Sequence, residues 1–246
     1  LQPFLSDLDG QSSWNQNMPF MRLLLLVSMS FLMPLKMQAD TEAKPVIMPM
    51  PWSVADGATI NFNVLRGGSP FGSHKLNFSS DGAGGVTVTT DVDLKVKIGP
   101  ITAYRYELDS VEQWSDGRLV ALNSRTNSNG KRKRVDVRRV GSGLDVDATG
   151  FEGIVDAAMI PSSHWNLLQM YGDQMLSTET GEVLDINVEQ LGREIVVVGG
   201  AALEATRYRL RSELAVDLWY DDQSRWVKML FEARGQSIEY ILNELY

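Results

Sequence analysis

The 246-residue chain has no cysteine. It can form neither a disulfide framework nor a thiolate metal site. It also lacks the residue that accepts a bacterial lipoprotein anchor. Histidine is scarce: His74 and His164 are the only two. There is no cationic excess, because 23 Lys and Arg stand against 31 Asp and Glu, a net charge of -8. That balance argues against nucleic acid as a partner, since binding to phosphates needs a broad cationic field. The sequence contains no H-E-x-x-H, G-x-S-x-G, Walker A or dinucleotide glycine fingerprint. Gly82-Ala83-Gly84-Gly85 precedes a strand rather than a helix, so it reads as a hairpin loop. No catalytic residue, metal ligand set or cofactor is assigned. Local hydrogen bonding accounts for His164, and a strand position for His74.

What is present begins with one apolar run. Met21-Arg22 is followed by Leu23 to Met33, interrupted only by Ser28 and Ser30, and Pro34 ends it. A short positive start, an apolar stretch and a polar exit are the order of a secretory signal peptide. The run is too short for a spanning helix, which needs roughly 20 apolar residues. Met18 and Met21 are both candidate starts. Cleavage is expected after Ala39, although Met37 is bulky for the −3 position. Residues 1–39 are therefore read as upstream residues and signal peptide, and 40–57 as an extended tether rich in proline, with Pro45, Pro49 and Pro51. Residues 58–246 form a single β domain, periplasmic or secreted, with no transmembrane span in the mature chain.

In that domain the dominant period is two. Val86, Val88, Thr90, Val92, Leu94, Val96 and Ile98 alternate with Thr87, Thr89, Asp91, Asp93, Lys95 and Lys97. Successive side chains of a strand point to opposite faces, so one face is buried and the other wet. Ile60, Phe62 and Val64 repeat the pattern, as do Leu214, Val216, Leu218 and Tyr220, and then Ile238, Tyr240 and Leu242. Asp116-Gly117, Asn129-Gly130 and Gly199-Gly200 supply the positive φ angles of tight hairpins. The spacing predicts an all-β fold: a large curved antiparallel meander or half-open β-barrel of about 11–13 strands with one short helix.

That helix is expected where the period breaks. Pro161 stands at a plausible start, Ser162 or Ser163 at the cap and Gly172 at the end. Trp165, Leu168 and Tyr171 then share a face. A lone helix in an all-β chain has only the sheet to bury that face against, so it should close one mouth of the sheet. His164, Trp165, Asn166, Leu168 and Tyr171 are therefore the candidate ligand-binding residues. The basic run Lys131-Arg132-Lys133-Arg134 continues to Arg138 and Arg139. On a strand, Arg132, Arg134 and Arg138 share a face. They are read either as a patch for an anionic partner or as a solvated edge that blocks edge-to-edge pairing. Asp221-Asp222 reads as a hairpin turn rather than half of an acid/base pair.

Several segments together resemble DUF6134, a domain of unknown function. They include Gly72-Ser73-His74, Thr102-Ala103-Tyr104-Arg105-Tyr106-Glu107, Trp114-Ser115-Asp116-Gly117-Arg118-Leu119-Val120 and Pro161-Ser162-Ser163-His164-Trp165-Asn166. Thr180-Gly181-Glu182, Leu191-Gly192-Arg193-Glu194, Arg207-Tyr208-Arg209-Leu210, Leu218-Trp219-Tyr220-Asp221 and Phe231-Glu232-Ala233-Arg234-Gly235 continue it. The resemblance spans roughly residues 57–245 and implies an exported protein, but carries no activity. More distantly the chain is similar to the exported family DUF3108. At the level of fold it is also similar to half-open β-barrels that carry lipoproteins or lipids across the periplasm.

Three functions compete: a carrier of a lipid or other apolar small molecule, a structural or envelope-assembly protein, and a hydrolase. The signal peptide, the large sheet and the missing catalytic motifs favour the first. The export reading makes a direct prediction: N-terminal sequencing of envelope-fraction protein starts within a few residues of Asp40, and an intact chain in the cytoplasm contradicts it.

Overall fold

The computed structural model describes residues 55–98 and 100–246. Residues 1–39, expected to be upstream residues and signal peptide, and residues 40–54 of the expected tether lie outside the described residues. The first eight strands are β1 (Thr59–Arg66), β2 (Ser69–Ser80), β3 (Gly85–Ile98), β4 (Ile101–Ser115), β5 (Arg118–Ser128), β6 (Lys131–Val140), β7 (Gly143–Ala148) and β8 (Glu152–Asp156). An irregular segment follows, holding the short strands β9 (Gln174–Leu176) and β10 (Val183–Asp185). The chain then returns to β11 (Asn187–Val198), β12 (Ala201–Arg211), β13 (Ala215–Asp221), β14 (Trp226–Ala233) and β15 (Gln236–Leu242).

Thirteen of these strands make one antiparallel sheet in the order β11-β12-β13-β14-β15-β1-β2-β3-β4-β5-β6-β7-β8. The sheet is not closed. Its first and last strands, β1 and β15, pair with each other in the middle, with Phe62 opposite Leu242. The two edges, β8 and β11, are therefore joined by residues 157–186.

The alternating residues do what period two demands. Ile60, Phe62 and Val64 are buried, as are Val88, Thr90, Val92 and Leu94 on β3 and Ile238, Tyr240 and Leu242 on β15. Asp91 and Thr89, one residue out of phase, are exposed. The turns follow their dipeptides. Gly67-Gly68, Asp116-Gly117, Asn129-Gly130, Gly199-Gly200 and Arg234-Gly235 each have positive φ at both positions, the form whose twist matches a two-residue hairpin. Asp221 folds over its own turn by accepting from the backbone N–H of Gln223 and Arg225, both at 2.9 Å. At Gly72 the need is space: a Cβ there would stand 1.9 Å from the Asp93 carbonyl oxygen on β3.

β13 departs from alternation. Val216, Leu218 and Tyr220 are buried as expected, but so are Asp217 and Trp219 on the opposite face. Asp217 sits between the guanidinium groups of Arg207 and Arg209. Trp219 lies under Arg207, 5.0 Å from its ring centroid, and under Lys228 at 5.2 Å, and its N–H donates to Glu194. Long cationic side chains thus cover this outer face with their stems.

The segment expected to be a helix forms a single 3₁₀ turn, Leu167–Tyr171. Its cap is Asn166, whose side chain accepts from the Leu168 N–H, rather than Ser162 or Ser163. Those two serines lie upstream in a turn. Pro161 bridges Leu176, the Ser162 N–H donates to the Leu176 carbonyl, and His164 has φ +65°.

The register of β3 is testable. Val92→Asp places an unpaired charge in the core and should cost about 3–5 kcal/mol. Asp91→Ala removes an exposed carboxylate that stands opposite Asp109, so it should be neutral to slightly stabilising. Urea denaturation of the two variants measures both, and a reversed ranking would place the strand one residue out of register.

Candidate functional site

Residues 157–186 cross between the two sheet edges over the concave face. The contacts of this segment show how far the sheet curls around it. Trp165 packs edge-to-face on Phe78 of β2 and on Trp114 of β4. The Tyr106 hydroxyl of β4 and the Lys133 ammonium of β6 both donate to Glu179, at 3.1 and 2.9 Å. The Tyr220 hydroxyl of β13 donates to the His164 carbonyl at 2.6 Å, and Tyr171 meets Tyr208 of β12 at 3.3 Å. Strands far apart in the sheet order therefore touch the same short segment.

An irregular segment has backbone groups that no ladder satisfies, so its burial demands polar partners. Tyr220 supplies one, to the His164 carbonyl, and others come from within the segment. The core face beneath also carries hydroxyls, although those of Thr90, Ser124 and Thr126 have no hydrogen-bond partner among the described residues. Leu76, Thr90, Ser110 and Ser124 stand in register on four successive strands, and Thr126 and Ser128 extend the hydroxyl-rich strip along β5. All of these are buried. The crossing segment answers with Ser162, whose hydroxyl accepts from the Thr178 N–H at 3.1 Å, and with Ser177, which accepts from the N–H of Glu179 and Thr180. Gly181 has φ +75°, and a Cβ there would meet the Ala148 Cβ at 2.3 Å. The loop is pressed against β7 too closely for any side chain.

Two carboxylates are fully buried in this layer. Glu179, at 0% exposure, is held by Lys133 and Tyr106. Burial of Tyr106 itself, and then the Glu179 charge beside it, push its hydroxyl well above the ordinary phenol pKa. Glu112 accepts from the indole N–H of Trp114 at 2.8 Å and of Trp165 at 3.1 Å. Burial raises its pKa, against the pull of those donors. His74 and His164 flank Trp226, with ring centroids 5.5 and 5.8 Å from it. The structure thus brings the two histidines to one buried aromatic cluster. Burial pushes both down to about 3, so both are neutral at physiological pH. His164 Nδ1 pairs with Gln169, whereas neither nitrogen of His74 has a hydrogen-bond partner among the described residues.

The five candidate ligand residues divide. His164, Trp165 and Asn166 are buried core. Leu168 and Tyr171 are half-buried and line an open cleft of about 500 Å³ at one end of the strands. Trp114, Ile160, Arg118 and Arg139 also line it. Arg139 is held by the Leu119 and Ala157 carbonyls, both at 2.8 Å. The enclosed space beneath the crossing segment is small: a cavity of about 20 Å³ among His74, Thr90, Ser163 and Thr178, room for about one water molecule.

The basic run splits by parity. Arg132, Arg134 and Arg138 share the outer face and are exposed, and Arg134 is paired with both Asp136 and Asp147. Lys133 and Arg139 point inward, to Glu179 and to the end cleft. Sequence reasoning missed Glu112, Glu179 and Lys133. The one signal available was this same alternation, which sends the odd-numbered cations of the run to the core face. Among the described residues no group of three or more histidine and acidic side chains could hold a metal, and no helix is long and apolar enough to cross a membrane.

Curled sheet, unclosed edges and a buried crossing segment define a β-barrel-like protein. The chain belongs to the DUF6134 family, a domain of unknown function whose model matches residues 62–243. A crystal structure of a β-barrel-like protein of DUF1849, another domain of unknown function, from Brucella abortus has a similar fold. The TM-score is 0.55 at 11% identity, covering 76% of this chain and 95% of that one. No curated protein matches the chain.

The neutral histidines set an acid limb. The unfolded histidine takes a proton below about pH 6.5, and the folded one only near 3. Stability present above pH 6.5 is therefore lost as pH falls, by about 2 kcal/mol per histidine at pH 5. Glu112 has the opposite sign: its raised pKa gives stability at low pH that is lost as pH rises. His74→Phe should make the loss of stability between pH 6.5 and 5 shallower, read from urea midpoints.

Proposed function

We propose that this is an exported periplasmic protein that binds or carries an apolar, lipid-like ligand on its curved sheet. The observation that carries the reading is the end cleft of about 500 Å³ walled by Trp114, Ile160, Leu168 and Tyr171. Its volume lies within the range of small-molecule sites. Its floor is the crossing segment itself, so the ligand rests on that segment at the sheet's end instead of lying beneath it. Arg118 at the rim offers a cation to a polar head. The export half of the reading rests on the apolar run after Met21-Arg22.

A second reading, an envelope-assembly role, draws on the β11 edge. This strand ends the sheet, and Ile195 and Val197 on it are each 63% exposed. An open edge with apolar side chains is a template for an added strand.

Native mass spectrometry of protein purified from its own envelope separates the two, since a carrier retains a small apolar mass and an assembly protein retains another chain. Titration with an uncharged, apolar fluorescent probe then locates the site. Leu168→Asp should weaken saturable binding by roughly tenfold or more, because it puts a charge on the apolar wall. Asp91→Ala, on the outer face, should leave it unchanged. No saturable binding by the folded protein would overturn the carrier reading.

A further inference from the structure

The opposite end of the strands carries a different cleft. Four hairpins of the meander line it: β1–β2, β3–β4, β5–β6 and β14–β15. Between them lies a cleft of about 350 Å³. Its floor is apolar, made by Phe71, Val96, Ala233 and Ile238, with Tyr104 and Ser128 at one side. Its cations are Arg66, Lys131 and Arg234, one each from the β1–β2, β5–β6 and β14–β15 hairpins, and no acidic residue lines it among the described residues. The β14–β15 and β5–β6 hairpins stand five strands apart in the sheet, so only the curl of the sheet brings Arg234 and Lys131 to one mouth. Arg66 and Arg234 make no ion pair with a carboxylate among the described residues. In contrast, Arg125, Arg134, Arg193, Arg207, Arg209 and Arg211 all do.

Arg234 also stands where the backbone argues against it. Five hairpin loops have positive φ at both central positions. The first of these positions is Gly67, Asp116, Asn129 or Gly199 in four of them, the types such turns favour. In the fifth it is Arg234, at φ +51°. A long cationic side chain in the left-handed region is unfavourable, and nothing in the fold requires arginine there, since its side chain makes no hydrogen bond or ion pair within the described residues. An outlier of this kind points to function.

We infer that this cleft is a binding site for a single-chain amphiphile with an anionic head, carboxylate or phosphate. Arg66 and Arg234 take the head and the floor of Phe71, Val96 and Ile238 takes the start of the tail. The site is separate from the Leu168–Tyr171 cleft, and the inference stands whether or not that cleft binds anything.

The test is isothermal titration of the purified protein with dodecanoate, dodecyl phosphate, dodecyltrimethylammonium and inorganic phosphate. Dodecanoate and dodecyl phosphate should bind, and the cationic amphiphile with the same tail should bind at least roughly tenfold more weakly, the scale of one charge-assisted contact. Inorganic phosphate alone should compete poorly. Arg66→Gln/Arg234→Gly should weaken both anionic amphiphiles by roughly tenfold or more. Its thermal midpoint should be no lower than that of the parent chain, because glycine suits the turn. Leu168→Asp should leave this binding intact. Equal binding of the cationic amphiphile, or undiminished binding by the double variant, overturns the assignment of the head group. Competition by inorganic phosphate as strong as by dodecyl phosphate overturns the tail. Binding lost in Leu168→Asp and kept in the double variant places the amphiphile in the other cleft and overturns this site.

Discussion

The structure depends on one topological constraint: the two edges of the sheet must be joined, and the joining segment is buried. Because β1 and β15 pair in the middle of the sheet, residues 157–186 have to travel from the β8 edge to the β11 edge. Buried irregular backbone is costly unless each N–H and C=O finds a partner. The concave face is therefore not the purely aliphatic surface that an empty barrel would show. Tyr106 meets the Glu179 carboxylate, Tyr220 the His164 carbonyl and Glu112 the Trp165 indole, whereas the buried hydroxyls of Thr90, Ser124 and Thr126 have no hydrogen-bond partner among the described residues. The ion pair of Glu179 with Lys133 belongs to the same logic. Removing either partner would leave an uncompensated buried charge, which costs about 3–5 kcal/mol. The pair therefore specifies where the loop docks more than it adds net stability.

This constraint explains which parts of the molecule were legible. Period two exposes every long strand, because each strand sees only two environments, core and solvent. The turn dipeptides are equally plain, since positive φ leaves few residue types to choose from. The crossing segment obeys neither rule. Pro161, the two serines, the i, i+3, i+6 spacing of Trp165, Leu168 and Tyr171, and Gly172 satisfy the local signals of a helix. The backbone instead follows long-range partners: Leu176 takes the place of an upstream helical turn, and Tyr220 fixes the His164 carbonyl. A 3₁₀ turn is what remains of the local preference once those bonds are made. Non-local bonds of this kind leave no trace in spacing.

The same reasoning accounts for the site residues. Trp165 reads as an aromatic on the apolar face of a lid, and its indole N–H does face inward. It meets Glu112, a residue that alternation along β4 puts on the core face but whose partner no single sequence can name. Lys133 is the reverse case. It sits in a basic run that looks like solvated surface, yet its odd position in β6 sends it to the core. Alternation indicates the face, and the buried acid that makes that face tolerable lies 46 residues away. Leu168 and Tyr171 keep a place at a ligand-sized cleft because they fall past the cap residue Asn166, where the segment emerges at the end of the strands.

Where a coiled sheet is filled along its concave middle, clefts remain at its two ends. The ends are made by hairpin tips, and hairpin tips are the positions least constrained by packing and most constrained by φ. A tip residue that violates its turn preference is therefore informative in a way that a core residue is not. Packing explains nearly any apolar side chain in the middle of the sheet, whereas packing does not explain a cation held in the left-handed region of a two-residue loop. Gly67, Asp116, Asn129 and Gly199 relieve their turns. Arg234 does not, and with Arg66 it faces a cleft that contains no acid of its own. The interior of this protein is thus committed to holding its own chain in place, and the two clefts proposed as binding sites lie at the ends of the strands.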